Sequence, residues 1–319
     1  MKQVMFTLAA LLNAFVLSAC SINIGADRSS GRYERDAASY GANDGVVERS
    51  LSVQSFTKFE CRLPVAVTYV QTNGQAPKVV LKGAPAMVER CVVDVRNGKL
   101  LLRLAQNTEQ NRKRFSKSRD KLKITVYGGQ LTSLEMMTAC TFYAAQLEAT
   151  QLSLANSGAS IINVGRLVAQ QLTLSCSGAS STRLGGSVGK LTMSVTGAAN
   201  LGAQDLVAQE LKAEMKGSTL GKLAVQGSAK VDVSGASSLT LSGTADLFTI
   251  NCVGASSVKA AALKAQNVVV EVSGASNVKC YAERSIKGIV SNGSLTYGGH
   301  PTSFNVERQN STASIKAVD

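Results

Sequence analysis

The chain has 319 residues, 45% hydrophobic but only 5% aromatic, with no tryptophan and a formal net charge of +13. That length can bury a substantial core, and a charged fraction of only 17% excludes an intrinsically disordered chain. The shortage of large rings excludes an aromatic core, so the interior must come from Leu, Val, Ile and Ala, and the basic balance favours polyanionic neighbours.

Residues 1–19 read as a lipoprotein signal peptide. Lys2 supplies the positive start, and the apolar run VMFTLAALLNAFVL is too short to span a bilayer. It ends in Leu17-Ser18-Ala19-Cys20. Small residues before a Cys at this place resemble the bacterial lipobox. The resemblance implies cleavage before Cys20, acylation of its thiol and amine, and stable membrane attachment. The alternative is a plain secretory signal in which Cys20 is incidental. Residues 20–51 are polar and rich in Gly, Ser and Asp, as expected of a lipid-anchored flexible tether.

Residues 52–130 read as an N-terminal β-rich cap. CRLPVAVTYVQ alternates apolar and polar residues, QTNGQAP turns, and PKVVLKG is a further strand. APAMVERCVVDV holds a short helical turn, and Asn97-Gly98 predicts a hairpin between the strands on either side. A basic excursion follows, with Arg112, Lys113, Arg114, Lys117, Arg119, Lys121 and Lys123 opposed only by Asp120, before the strand LKITVYGG.

Residues 131–319 are periodic. The stretches LTLSCSGASS, KVDVSGASSL and VVVEVSGASN share one small-residue corner. Aligned on the corner glycines Gly158, Gly178, Gly197, Gly217, Gly235, Gly254, Gly274 and Gly293, the spacing runs 20, 19, 20, 18, 19, 20 and 19 residues, and Cys140 falls at the equivalent place 18 residues earlier. Six, four and two residues before the corner stand apolar residues such as Leu172, Leu174 and Cys176, or Val268, Val270 and Val272, with polar residues between them. Period-two alternation within a period near 19 predicts two or three short strands per unit, stacked along one axis. The fold class is therefore all-β, a single-stranded parallel β-helix of about nine coils of 18–20 residues. The drift in spacing suits a right-handed coil with adjustable corners. Gly supplies unusual backbone angles at the corner, and Ala and Ser are small enough to stack and to satisfy local amides.

Several residues bear on function. The outward column Glu214, Asp232, Asn251 and Glu271 would suit a polysaccharide lyase or hydrolase, whose chemistry needs paired carboxylates. Lys212 and Lys230 beside it favour a charge-paired, solvated ladder instead. His300 is the only histidine and follows Gly298-Gly299 in a turn, a poor basis for a nucleophile relay or a zinc site. Cys176 and Cys252 read as small buried hydrophobes four coils apart. Cys61 and Cys91, on neighbouring elements of the cap, are a possible disulfide. The basic run from Arg112 to Lys123 is a candidate polyanion-binding segment or an exposed loop. Nothing in the sequence points to a cofactor or metal, and no aromatic platform accompanies the basic run as nucleic-acid binding would require.

The lipobox, the SGAS coils and the closing GGHPTSFNVERQNSTASIK together resemble the putative auto-transporter adhesin head GIN domain family over about residues 52–318. The resemblance implies a lipid-anchored, β-helical envelope protein with an adhesion-like role and no established active site. Cys140 and Lys216-Gly217-Ser218 depart from its corner pattern. Because Asp27 is the one acidic residue in SINIGAD after Cys20, the expected location is the outer membrane, facing the periplasm rather than the cell surface. The functional expectation is non-enzymatic binding of an acidic polysaccharide or other envelope polyanion, with a carbohydrate-active enzyme or a structural spacer as alternatives.

Overall fold

The computed structural model describes residues 45–106, 108–110, 113 and 122–318. The elements are β1 (Val47–Ser52), β2 (Lys58–Cys61), β3 (Ala66–Gln71), β4 (Lys78–Gly83), α1 (Pro85–Arg90), β5 (Cys91–Arg96), β6 (Lys99–Leu104), β7 (Leu122–Gly128) and β8 (Ser133–Met136). Eight long strands follow: β9 (Thr141–Asn156), β10 (Ile161–Cys176), β11 (Ser181–Val195), β12 (Asn200–Met215), β13 (Leu220–Val233), β14 (Ser238–Cys252), β15 (Ser257–Ser273) and β16 (Asn277–Ser291). The chain closes with β17 (Ser294–Gly298), β18 (Ser303–Arg308) and β19 (Ser314–Ala317).

Each long strand is a whole coil, where the sequence predicted two or three short strands. In β10 the buried residues are Ile162 and Val164, then Leu167 and Ala169, then Leu172, Leu174 and Cys176. Between these groups the alternation slips, and Gly165-Arg166 and Gln170-Gln171 both face outward. Two consecutive outward residues bend the strand so that the next apolar residue again faces the axis. A coil therefore has three inward-lined faces separated by two gentle bends and one sharp corner. β12 repeats the same burial pattern. Parallel pairing sets like on like: Leu172 opposes Leu152 on one side and Leu191 on the other. The continuous apolar axis is the core.

The sharp corner explains its own sequence. Nine successive corners carry a residue at positive φ: Thr138, Gly158, Gly178, Gly197, Gly217, Gly235, Gly254, Gly274 and Asn292. Each glycine sits on the one before. A Cβ added to Gly235 would lie 2.6 Å from the Gly217 carbonyl oxygen and 2.9 Å from its nitrogen, so both the backbone angle and the contact demand glycine. The backbone amides of Ala179, Ala198, Ala236 and Ala255 donate to the carbonyl of the preceding corner glycine at 2.7–2.8 Å. The second serine of the motif points inward. Ser237, Ser256 and Ser276 are buried, and their hydroxyls donate to the carbonyls of Gly217, Gly235 and Gly254, each at 3.2 Å.

Two sequence expectations change here. Gly293 is not the last corner: the turn there is one residue shorter, Asn292 takes the left-handed angle at φ 57°, and Gly293 falls where the inward serine stands in other coils. Cys140 is not at a corner glycine position either. Thr138, 20 residues before Gly158, is, and Cys140 takes the inward serine place, its carbonyl accepting from Ile161 as that of Ser160 accepts from Ser181. Lys216-Gly217-Ser218, despite its departure from the motif, turns at φ 97° like its neighbours.

The cap extends the same stack. β2 lies between β6 and β8, all parallel, and β3 lies between β7 and β9, also parallel. Thus β2–β3 and β6–β7 form two further layers below the repeats, laid down out of chain order. β4 pairs with β7 and β1 with β4, each antiparallel, and β5 flanks β6 through the Asn97-Gly98 hairpin. β1 begins at Val47, inside the stretch read as tether. Three rings gather at the junction: Phe59, Tyr69 and Phe142 have centroids 6.1–6.4 Å apart, and Tyr69 Oη donates to Gly129 O at 2.6 Å. Glu60 is buried beside them, accepting hydrogen bonds from Lys99 and Arg62.

A candidate polyanion-binding face

Parallel register turns a repeated sequence position into a straight column of side chains about 4.8 Å apart. The face that follows the sharp corner presents two outward columns. One runs Ile161, Ser181, Asn200, Leu220, Ser238, Ser257, Asn277, and the other Asn163, Arg183, Gly202, Lys222, Thr240, Lys259, Lys279. Through β17 and β19 the second column continues to Thr296 and Lys316. From β9 to β19 the outward positions of this face include no Asp or Glu. Arg183, Lys222, Lys259 and Lys279 are exposed, and among the described residues none of them has an ion-pair partner. Arg183, Lys222 and Lys259 occur on alternate coils, about 10 Å apart. Gly202 has no side chain to fill the space between the first two, leaving an open depression of about 420 Å³ lined by Arg183, Asn200, Gln204, Lys222, Thr240 and Lys259 among others.

The face before the corner is different. It brings Glu214, Asp232, Asn251 and Glu271 side by side on successive coils, as the alternation predicts. There, acids and bases answer one another. Lys216 pairs with Glu214, holding that carboxyl below its ordinary pKa, and Asn251 donates to Asp232 at 3.3 Å. Lys212 and Lys230 stand in register on the same face. Acidic and basic side chains therefore share this face. Among the described residues no group of three His, Cys, Asp or Glu could hold a metal ion, and His300 sits exposed in the turn after β17.

The basic run divides. Arg112, Arg114, Lys117, Arg119 and Lys121 lie outside the described residues, as does Cys20. Lys113 pairs with Glu109 at 2.8 Å across one helical turn. Lys123 lies at the start of β7, in register with Ala66, Thr141 and Ile161, and so stands on the face that carries Arg183 and Lys222. The cation column itself escaped sequence reading, although its signal was present: Arg183, Lys222, Lys259 and Lys279 each follow their corner glycine by five residues.

All six described cysteines are buried free thiols. Burial raises the thiol pKa values of Cys61, Cys176 and Cys252, and those of Cys91 and Cys280 to about 12. The expected Cys61–Cys91 disulfide is corrected by strand order. Cys61 pairs with Leu102 of β6, and β5 lies on the far side of β6 with Val93 opposite Leu102. Two strand spacings, about 10 Å, exceed what a disulfide spans.

The family model described as "Putative auto-transporter adhesin, head GIN domain" matches residues 55–238 and 222–301. No curated protein matches the chain. Among solved structures, a protein of Bacteroides fragilis described as a putative adhesin aligns at 17% identity over 86% of this chain and 97% of its own, with a TM-score of 0.48. One from Parabacteroides distasonis described as a putative lipid binding protein aligns at 15% identity over 87% and 98%, with a TM-score of 0.42. A putative adhesin from Parabacteroides merdae aligns at 13% identity over 87% and 98%, with a TM-score of 0.41.

Proposed function

Since the chain belongs to the putative auto-transporter adhesin head GIN domain family, we propose that it is a non-enzymatic, adhesin-like protein of the cell envelope that binds an extended acidic polysaccharide along the face following the sharp corner. The single observation that carries this is the column Arg183, Lys222, Lys259 and Lys279, without an ion-pair partner among the described residues and with no carboxylate at the outward positions of that face from β9 to β19. Cations that already have local partners gain little from a ligand, whereas these can meet anionic groups at the cost of water alone. The neighbouring Ser and Asn column offers donors and acceptors to sugar hydroxyls. Exposed Tyr143, Ile161 and Leu220 on the same face offer apolar surface to the C–H faces of sugar rings. Each contact is weak, and the stack multiplies it, since a linear polymer meets the same chemistry coil after coil.

The address follows from the N-terminus. In this reading Cys20 carries the lipid, residues after it form the tether, and the body faces the periplasm from the outer membrane. Lys123 joins the binding face, and the rest of the run from Arg112 to Lys121 adds long-range attraction. Substituting Cys20→Ser should abolish incorporation of radiolabelled fatty acid; undiminished labelling removes the anchor from this account.

The test of binding uses the full chain with acidic and neutral polysaccharides of matched length, measuring both affinity and polymer size. Retention of the acidic polymer alone, weakening as salt rises and leaving its length unchanged, supports the proposal. Shortening of the polymer would make the protein an enzyme and direct attention to Glu214, Asp232 and Glu271. Equal indifference to all polymers would leave a structural spacer.

A further inference from the structure

Two buried thiols meet where the cap joins the first coil. Cys61 ends β2, and Cys140 lies four residues beyond Met136, the partner of Cys61 in the next layer. Both sulfurs reach one oxygen: Leu63 O lies 3.7 Å from Cys61 Sγ and 2.7 Å from Cys140 Sγ. Cys140 Sγ also lies 3.1 Å from Cys61 O and 2.7 Å from Met137 O. A thiol has one hydrogen to give, so three carbonyl oxygens crowd a group that can satisfy one of them. The same pair of positions recurs farther along the stack. Cys252 pairs with Val272 one coil on, and Ser276 lies four residues beyond Val272. Among the described residues, only at the first corner are both of these slots filled by cysteine. Cys61 and Cys140 belong to adjacent layers, and Cys140 Sγ lies 3.1 Å from the carbonyl oxygen of Cys61 itself.

We propose that Cys61 and Cys140 form a disulfide that ties the β2–β3 layer of the cap to the first coil. The bond would form by exchange with an oxidised dithiol protein or with oxidised glutathione. One thiolate attacks the oxidant's disulfide and releases its first thiol, the second attacks the resulting mixed disulfide and displaces the other, and two electrons and two protons pass to the oxidant, which leaves as two thiols. Both sulfurs are fully buried in the finished fold, so the exchange takes place while the corner is still open. In the cell it requires the disulfide-permissive compartment implied by the Cys20 reading. In vitro it requires only the oxidant, and it is independent of the cation column.

The full chain, reduced and denatured, would be refolded in a mixture of reduced and oxidised glutathione, blocked with a thiol reagent and digested. A peptide linking Cys61 to Cys140 is expected, with two fewer thiols titrated in denaturant than in the fully reduced chain. Cys61→Ser and Cys140→Ala should each abolish that loss. Reducing agent should lower the unfolding midpoint of the parent chain and leave that of Cys61→Ser unmoved, a result that simple core packing by two thiols would not give. An undiminished thiol count in the refolded parent chain, or a peptide linking Cys61 to Cys91, overturns the proposal.

Discussion

Two serines at equivalent positions behave differently. The Ser237 hydroxyl donates to the Gly217 carbonyl and accepts from Thr219, whereas the Ser180 hydroxyl is buried with no partner among the described residues. Ala199 already occupies this place one coil after Ser180 and is buried there without loss. Ser237→Ala should therefore cost about 1 kcal/mol, and Ser180→Ala should be neutral or stabilising by a similar amount. Denaturant midpoints measured on both variants check the contrast. At the corner itself, Gly235→Ala should cost at least ~1–3 kcal/mol from backbone strain alone, before the clash with Gly217 is counted. The glycine's role was legible from its repetition. The inward aim of the following serine was not, because period-two alternation stops at a corner and leaves the direction of the next side chain open.

Elements differ in how much of their partnership the chain discloses. The hairpin at Asn97-Gly98 and the helix α1 formed where turn chemistry and pattern placed them. The pairing of β2 with β8 and of β3 with β9 had no comparable signal, since it joins residues 75 positions apart through layers laid down out of order. Within that cap Glu60 is a titratable strut. Burial raises its pKa, and hydrogen bonds from Lys99 and Arg62 more than reverse this, leaving it below the ordinary carboxylate value. A depressed pKa in the folded state adds stability above the unfolded value of about 4.3, and that stability is lost as pH falls through the folded pKa. The cap should loosen as the solution is acidified below about pH 4, reported by Tyr69 fluorescence, and Glu60→Gln should flatten the response. An unaltered acid profile in that variant would show that Glu60 is not the responsible group.

On the scale of the whole molecule, the stack converts a residue pattern into faces of opposite character. The period alone disclosed the coil and its core. Assigning the faces required the register, because a column is visible only when each coil is aligned on its corner, and Gly293 and Cys140 show that one or two residues of slippage misplace an entire coil. With register in hand, one face carries compensated charge through Glu214, Lys216 and Asp232, and the other carries Arg183, Lys222 and Lys259 uncompensated. Near an anionic surface each such cation contributes about 1 kcal/mol, so single substitutions on the second face should weaken polyanion binding ~5-fold each.

The comparison that decides between a recognition face and mere net charge uses two triple variants of equal charge. One replaces Arg183, Lys222 and Lys259 with serine, and the other replaces Lys212, Lys230 and Lys287, which lie on the face before the corner. Binding of an acidic polysaccharide to the full chain would be measured for both at low and at physiological salt. The account predicts that the first variant loses most of its affinity and its salt dependence, while the second keeps both. Equal losses in the two variants would contradict it, leaving overall basicity as the source of binding.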